Sequence, residues 1–173
     1  MIGGGLRPAE RKRRQRQIVD VLSKLPGEYR ALEYALSTFG GDFDLKAFKR
    51  AFEGTDGPDA YIRVQAVERG IGRVQNFLTD LAESGSLLAE LPIPDGEHGS
   101  RAQRAFASLH AAGVIDGELC AQLAEGQRKR SRIEHMYIDV TAGEVHRAAW
   151  LVRDAAQRFV PRFRDWIEPY LPQ

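Results

Sequence analysis

Six apolar side chains, Val64, Val67, Ile71, Val74, Leu78 and Leu81, follow one another at alternating spacings of three and four. That period puts all six on one stripe of an α-helix and on no single face of a strand. A helix with such a seam must bury it against other helices, and no stretch of useful length shows the alternating pattern of a strand partner. The expected fold is therefore all-α: an up-and-down bundle of about four main helices with short extra helices. The long helix is expected to begin near Asp59. Gly70 and Gly72 weaken it intrinsically and mark places where another helix can come close.

The remaining elements arrange themselves around this one. Ile18, Val21, Leu22 and Leu25 recur at helical spacing, and Pro26-Gly27 predicts an interruption before a second short helix with Tyr29, Leu32, Leu36 and Phe39. Asp44 can cap a short helix bearing Leu45, Phe48 and Phe52. The long helix is expected to fray over Gly85 to Leu91, ahead of a loop at Pro92-Ile93-Pro94-Asp95-Gly96. Ser100 with Gln103, and Thr141 with Glu144, have the spacing of capping boxes. Asp116 can start the helix whose seam reads Leu119, Leu123, Gly126, Arg130, Ile133 and Tyr137. The final helix carries Val145, Val152, Phe159, Phe163, Trp166 and Tyr170, and Pro161 is expected to kink or break it.

At 173 residues the chain reads as one domain over 15–173, preceded by a basic and flexible arm over 1–14. The run from Arg7 to Arg16, at and just past the end of the arm, holds Arg7, Arg11, Lys12, Arg13, Arg14 and Arg16 against the single acid Glu10. Such a run is ordinarily a solvated face; its functional reading is a phosphate-binding surface. The net charge of +1 means that any affinity for nucleic acid must be local. One cysteine excludes an internal disulfide, and no run is long and apolar enough for a membrane span. A cytoplasmic protein with no membrane partner is expected.

The stretch richest in chemistry is Arg128-Lys129-Arg130-Ser131-Arg132-Ile133-Glu134-His135-Met136-Tyr137. Arg130 falls on an apolar seam, so its guanidinium must reach solvent, pair with an acid or line a cleft. Tyr137 shares its face two turns on, whereas His135 is rotated by roughly 140°. Ser131, four before His135, can orient the ring. Two copies packed across a dyad would bring two arginines and two histidines to one cleft. An imidazole can move a proton near neutral pH, and a guanidinium can stabilise the transition state of phosphodiester cleavage. Arg128, Lys129 and Arg132 add local positive field for an RNA backbone. The plain alternative is a basic solvated helix face with a surface histidine.

The pattern Arg130, four residues, His135, one residue, Tyr137 resembles the motif of the HepT-type HEPN ribonuclease toxins. The resemblance extends over roughly residues 15 to 170. Arg63 to Gly70 (RVQAVERG) is similar to the start of that family's long second helix, Phe106 to Leu119 (FASLHAAGVIDGEL) to the approach to the motif, and Tyr137 to Val145 to its exit. The resemblance implies a HEPN-like homodimer that cuts RNA without a metal or other cofactor, with Arg130 and His135 of both protomers as the catalytic set. It implies a minimal nucleotidyltransferase antitoxin of the MntA kind as partner, and Tyr137 as the tyrosine to which that partner transfers AMP. The family usually has Asn or Asp after the motif arginine; Ser131 here brings neither carboxylate charge nor the same reach. If cleavage has been lost, the expected alternative is a nucleotide- or nucleic-acid-binding subunit for such a nucleotidyltransferase. A third reading is a dimeric adaptor in which Arg130 pairs with an acid.

Other residues invite less. His98, His110 and His146 lack metal-ligand spacing. Cys120 lies on an apolar helix face and reads as core. Glu68 and Arg69 resemble family positions near the cleft but also suit a solvated helix pair. Trp150 and Trp166 read as core or interface aromatics.

Overall fold

The computed structural model describes residues 6–92, 99–135 and 139–172. These residues form six α-helices and a short terminal turn: α1 (Pro8–Ser37), α2 (Leu45–Phe52), α3 (Pro58–Leu88), α4 (Arg101–Ala111), α5 (Gly117–His135), α6 (Ala142–Ile167) and a 3-10 turn (Glu168–Tyr170). The fold among the described residues is all-helical, with four long helices and two short ones. Helix α3 packs against each of the other five. Its seam explains this: Val67, Ile71, Val74, Leu78 and Leu81 have no solvent exposure at all, and Val64 almost none. Burying side chains of this size stabilises by about 1.5–3 kcal/mol each, so α3 holds the rest in place.

Side-chain contacts fix the directions. Arg73 reaches Glu28 near the middle of α1, and Arg11 at its start reaches Glu90 just past the end of α3, so α1 and α3 run antiparallel. Gln127 of α5 meets Thr79, while Glu134 lies over Gly72, so α5 also opposes α3. Gln157 bonds to Tyr29, and Gln15 to the Tyr170 carbonyl, which sets α6 antiparallel to α1.

Of the two glycines in the α3 seam, Gly70 marks a close helix approach and Gly72 a side-chain contact. A Cβ on Gly70 would stand 2.9 Å from Leu32 Cδ1 and 3.3 Å from Leu32 Cα, so α1 crosses here nearly backbone to backbone. A Cβ on Gly72 would stand 3.1 Å from Glu134 Oε1.

Three expectations about helix boundaries need correction. Helix α1 continues through Pro26, and α6 is not broken at Pro161. Each proline is exposed, and each is bracketed by buried anchors: Leu25 and Leu32 around the first, Phe159 and Phe163 around the second. Proline inside a helix costs about 3 kcal/mol, which packing on both sides offsets. Helix α3 does not fray at Gly85; Ser84, Gly85, Ser86 and Leu88 are buried. The arm expected over 1–14 is, from Pro8 on, the first two turns of α1, with Pro8 in the first turn where it needs no N–H partner.

The capping signals do hold. The Ser100–Gln103 and Thr141–Glu144 boxes are both closed, and the Asp44 side chain accepts from Ala47 N–H. Asp116 starts α5: Oδ1 accepts from Leu119 N–H at 2.8 Å, and Oδ2 takes Arg162 Nη1 at 2.6 Å with Arg158 close by. The Arg162 guanidinium, then the Leu119 N–H, pull the Asp116 carboxyl down to about 2. A lowered folded-state value means that the ionised form supports folding. That support is complete above the unfolded carboxylate range near 3.9 and is lost as the pH falls through about 2. Asp116→Asn is therefore expected to lower the melting temperature at neutral pH and to flatten its decline between about pH 4 and 2. Melting curves by circular dichroism over that range check this; an unchanged pH profile would show that the contact contributes nothing to holding α5.

Candidate functional site

Helix α5 carries the arginine–histidine segment on its last two turns. The helix is positioned by buried Leu119, Leu123 and Ile133 and by a close approach at Gly126. There a Cβ would meet Gln75 Oε1 at 2.5 Å, and buried Gln75 in turn donates from Nε2 to the Leu123 carbonyl at 3.2 Å. This amide-on-glycine contact locks the rotation of α5 on α3. The seam pattern does not name Gln75, although a glycine on an otherwise apolar seam is the contact's visible sign.

That rotation leaves Arg130 at the edge of the α3–α5 interface, with its side chain 22% exposed. The guanidinium is engaged: Nε donates to Glu134 Oε1 at 2.9 Å and Nη2 lies 2.7 Å from Oε2. Two parallel N–H···O contacts of this kind fix the plane of the guanidinium. Glu134 in turn rests on Gly72. The sequence requires Arg130 to meet solvent, an acid or a cleft without naming Glu134; the four-residue spacing on one helix face is the available signal. Glu134 of this pair lines an open cleft of about 490 Å³, walled also by Gln65, Glu68, Arg69 and Asn76 on α3 and by Ile133 on α5. Burial raises the Glu68 carboxyl above its ordinary value, and among the described residues it forms no ion pair.

His135 is the last residue of α5 and is exposed. The Ser131 hydroxyl makes no hydrogen bond to its ring among the described residues, so the expected orienting contact is not formed. Tyr137 lies outside the described residues. The flanking cations are all paired: Arg128 with Glu125 at 2.6 Å, Lys129 with the same carboxylate at 3.3 Å, and Arg132 with Glu144 at 3.3 Å. The Arg132 contact ties the end of α5 to the capping box that starts α6. Four cations therefore face three acids around the segment, and the positive field expected from sequence is largely cancelled locally.

The other histidines are committed elsewhere. His110 Nδ1 lies 3.1 Å from the Ile115 carbonyl; His146 Nε2 lies 2.7 Å from the Phe43 carbonyl, and its ring stacks on Phe43 at 4.5 Å. His98 lies outside the described residues. Cys120 is half-buried, and burial pushes its thiol up, away from nucleophilic use. Trp150 and Trp166 are partly buried against the core. Among the described residues no group of three or more His, Cys, Asp or Glu is placed to hold a metal ion, and no helix is long and apolar enough to cross a membrane.

No family model matches the chain, and no curated protein does. Among solved structures, the chain is similar in fold to a cytosolic protein of unknown function, YutE from Bacillus subtilis. The two share 17% sequence identity at a TM-score of 0.54, over 87% of this chain and 94% of that one. At that identity the likeness shows that the helical arrangement recurs in another protein, and nothing about chemistry.

Proposed function

We propose that this chain is a metal-independent RNA endonuclease of the HEPN type, working as a homodimer and as the toxin of a HepT/MntA-type toxin–antitoxin pair. The observation that carries the reading is the Arg130–His135 spacing at the end of α5, with the arginine held by Glu134 beside an open cleft that Glu134 lines and the histidine exposed at the helix end. In the reaction the 2′-oxygen attacks the adjacent phosphorus and the 5′-oxygen leaves. His135 takes the proton from the 2′-hydroxyl or delivers one to the leaving oxygen, and Arg130 balances the charge that gathers on the phosphoryl oxygens. The cleft is completed across a dyad, so that each protomer supplies one arginine and one histidine. Glu134 does not block this role. A partly exposed pair four residues apart is worth only about 0.5 kcal/mol, so a substrate phosphate can displace the carboxylate. Tyr137, two residues past His135, is the site at which a minimal nucleotidyltransferase partner adds AMP. The added phosphate would repel the RNA backbone from the cleft.

A second reading has an observation of its own. Arg130 is held by Glu134, and Ser131 leaves His135 unoriented, which favours a subunit that binds nucleotide or nucleic acid for the nucleotidyltransferase and cuts nothing. Incubating the purified protein with RNA in EDTA separates the two. The nuclease reading expects degradation that stops when Tyr137 gains the mass of AMP from the partner and ATP. Intact RNA at stoichiometric enzyme would leave the binding subunit standing.

A further inference from the structure

The cations of α5 are matched by Glu125, Glu134 and Glu144, so the motif helix is a poor place to gather a polyanion. The first turns of α1 are the reverse. Residues 7–16 hold six cations and one acid, while the other 163 residues hold nineteen cations and 23 acids. The positive charge of the chain is thus concentrated here. The structure divides these cations by task. Arg11 and Arg14 face the body: Arg11 reaches Glu90, and Arg14 reaches Glu10 and the buried Ser84. Gln15 is tied to the Tyr170 carbonyl. With the helix anchored in this way, Lys12 and Arg16 are turned outward. Both are exposed, and neither has an ion-pair partner among the described residues. They stand one helical turn apart and together flank two adjoining surface grooves of about 530 and 310 Å³.

We infer that this face of α1, centred on Lys12 and Arg16, is a docking surface for the sugar–phosphate backbone of single-stranded RNA. Clustered cations on a rigid helix gain affinity by releasing counterions from such a backbone, and preformed geometry spares the cost of ordering them. An acidic membrane surface suits the face less well. An interfacial helix inserts an apolar stripe, and the apolar stripe of α1 (Ile18, Val21, Leu25) is buried in the protein. The surface is distinct from the cleft that Glu134 lines beside Arg130. Arg14 meets α3 at Ser84, twelve residues beyond Gly72, which is about 18 Å along the helix. The choice of RNA among polyanions rests on the nuclease reading; the surface itself does not.

The test measures binding, apart from cleavage. A fluorescein-labelled oligouridine of about twenty nucleotides is titrated in EDTA with His135→Ala protein, with and without Lys12→Ala/Arg16→Ala. With a salt slope of about −0.7 per phosphate contact on a single strand, losing two contacts is expected to weaken binding roughly 20-fold at 0.1 M salt and to reduce the slope by about 1.4. Lys12→Glu/Arg16→Glu is expected to weaken it further. Both positions are exposed helix sites, and an unchanged melting temperature confirms that the fold is intact. Equal affinity and slope in the alanine pair overturns the proposal. So does binding to phosphatidylserine vesicles in place of RNA. Loss of RNA binding in these variants supports the surface even where the protein with His135 intact never cleaves, so failure here and failure of the nuclease reading are separate results.

Discussion

Alanine at His135 is expected to lower the rate of RNA cleavage by about 10²- to 10⁴-fold, the range that a positioned proton-transfer group contributes, with the melting temperature unchanged. The second half of that statement follows from the structure. His135 is exposed at the end of α5 and makes no side-chain hydrogen bond among the described residues, so the fold loses nothing with its ring. Arg130→Ala is the necessary companion. If Arg130 served only to pair with Glu134, its loss would act on stability alone, and that stability is small: the pair is local and partly solvated, worth about 0.5 kcal/mol. A large fall in cleavage beside a negligible fall in stability is thus the signature of a reacting group. Arg130→Lys sharpens the result, because an ammonium keeps the charge and loses the planar fork. Steady-state cleavage of a labelled RNA, with thermal melts of the same samples, decides the matter. Full cleavage by the His135→Ala protein would end the nuclease assignment.

The α3 seam is legible in the amino-acid sequence, because six apolar residues at threes and fours admit only one placement, and all six are buried. The caps are legible because they are local: Ser100 with Gln103, Thr141 with Glu144 and Asp44 with Ala47 bond within one turn. Gly70 announces a close approach, since a glycine in the middle of a strong seam has a cost that only packing repays. Pro26 and Pro161 mislead for the opposite reason. Their helix-breaking tendency is local, and the burial that overrules it comes from segments distant in sequence. The two prolines in fact line one groove between α1 and α6, together with Leu25, Tyr29 and Val160. At the site, the spacing alone picks out the arginine and the histidine, and the same spacing rule points to Glu134. The neutralisation of Arg132 by Glu144 is not legible, because it depends on how α6 turns back after α5. Nor is the division of the α1 cations into anchors and free groups, since Glu90 and Ser84 are distant in sequence from Arg11 and Arg14.

Substitution of Gly85 by leucine is expected to be among the most destabilising single changes, costing about 3 kcal/mol, although leucine is the better helix former by nearly 1 kcal/mol. A Cβ at this position would stand 2.5 Å from Phe163 Cε2, 2.7 Å from its Cζ and 3.1 Å from Trp166 Cζ3. The Phe163 ring cannot retreat: it has no exposed surface and is packed against Phe159 at 5.3 Å and Trp166 at 5.6 Å. Here the crowding outweighs the propensity, because the obstacle is a buried ring held from two sides. Phe163→Ala alone should cost about 3–5 kcal/mol through the cavity it leaves. Together the two changes are complementary, since the leucine can occupy part of the space the ring vacates. The double variant is therefore expected to be more stable than the sum of the single losses implies, by at least about 1–2 kcal/mol. Urea denaturation of the four proteins in the cycle measures this. Strict additivity, within about 0.5 kcal/mol, would mean that Gly85 and Phe163 do not touch, and that α6 is held to the end of α3 by something other than this contact.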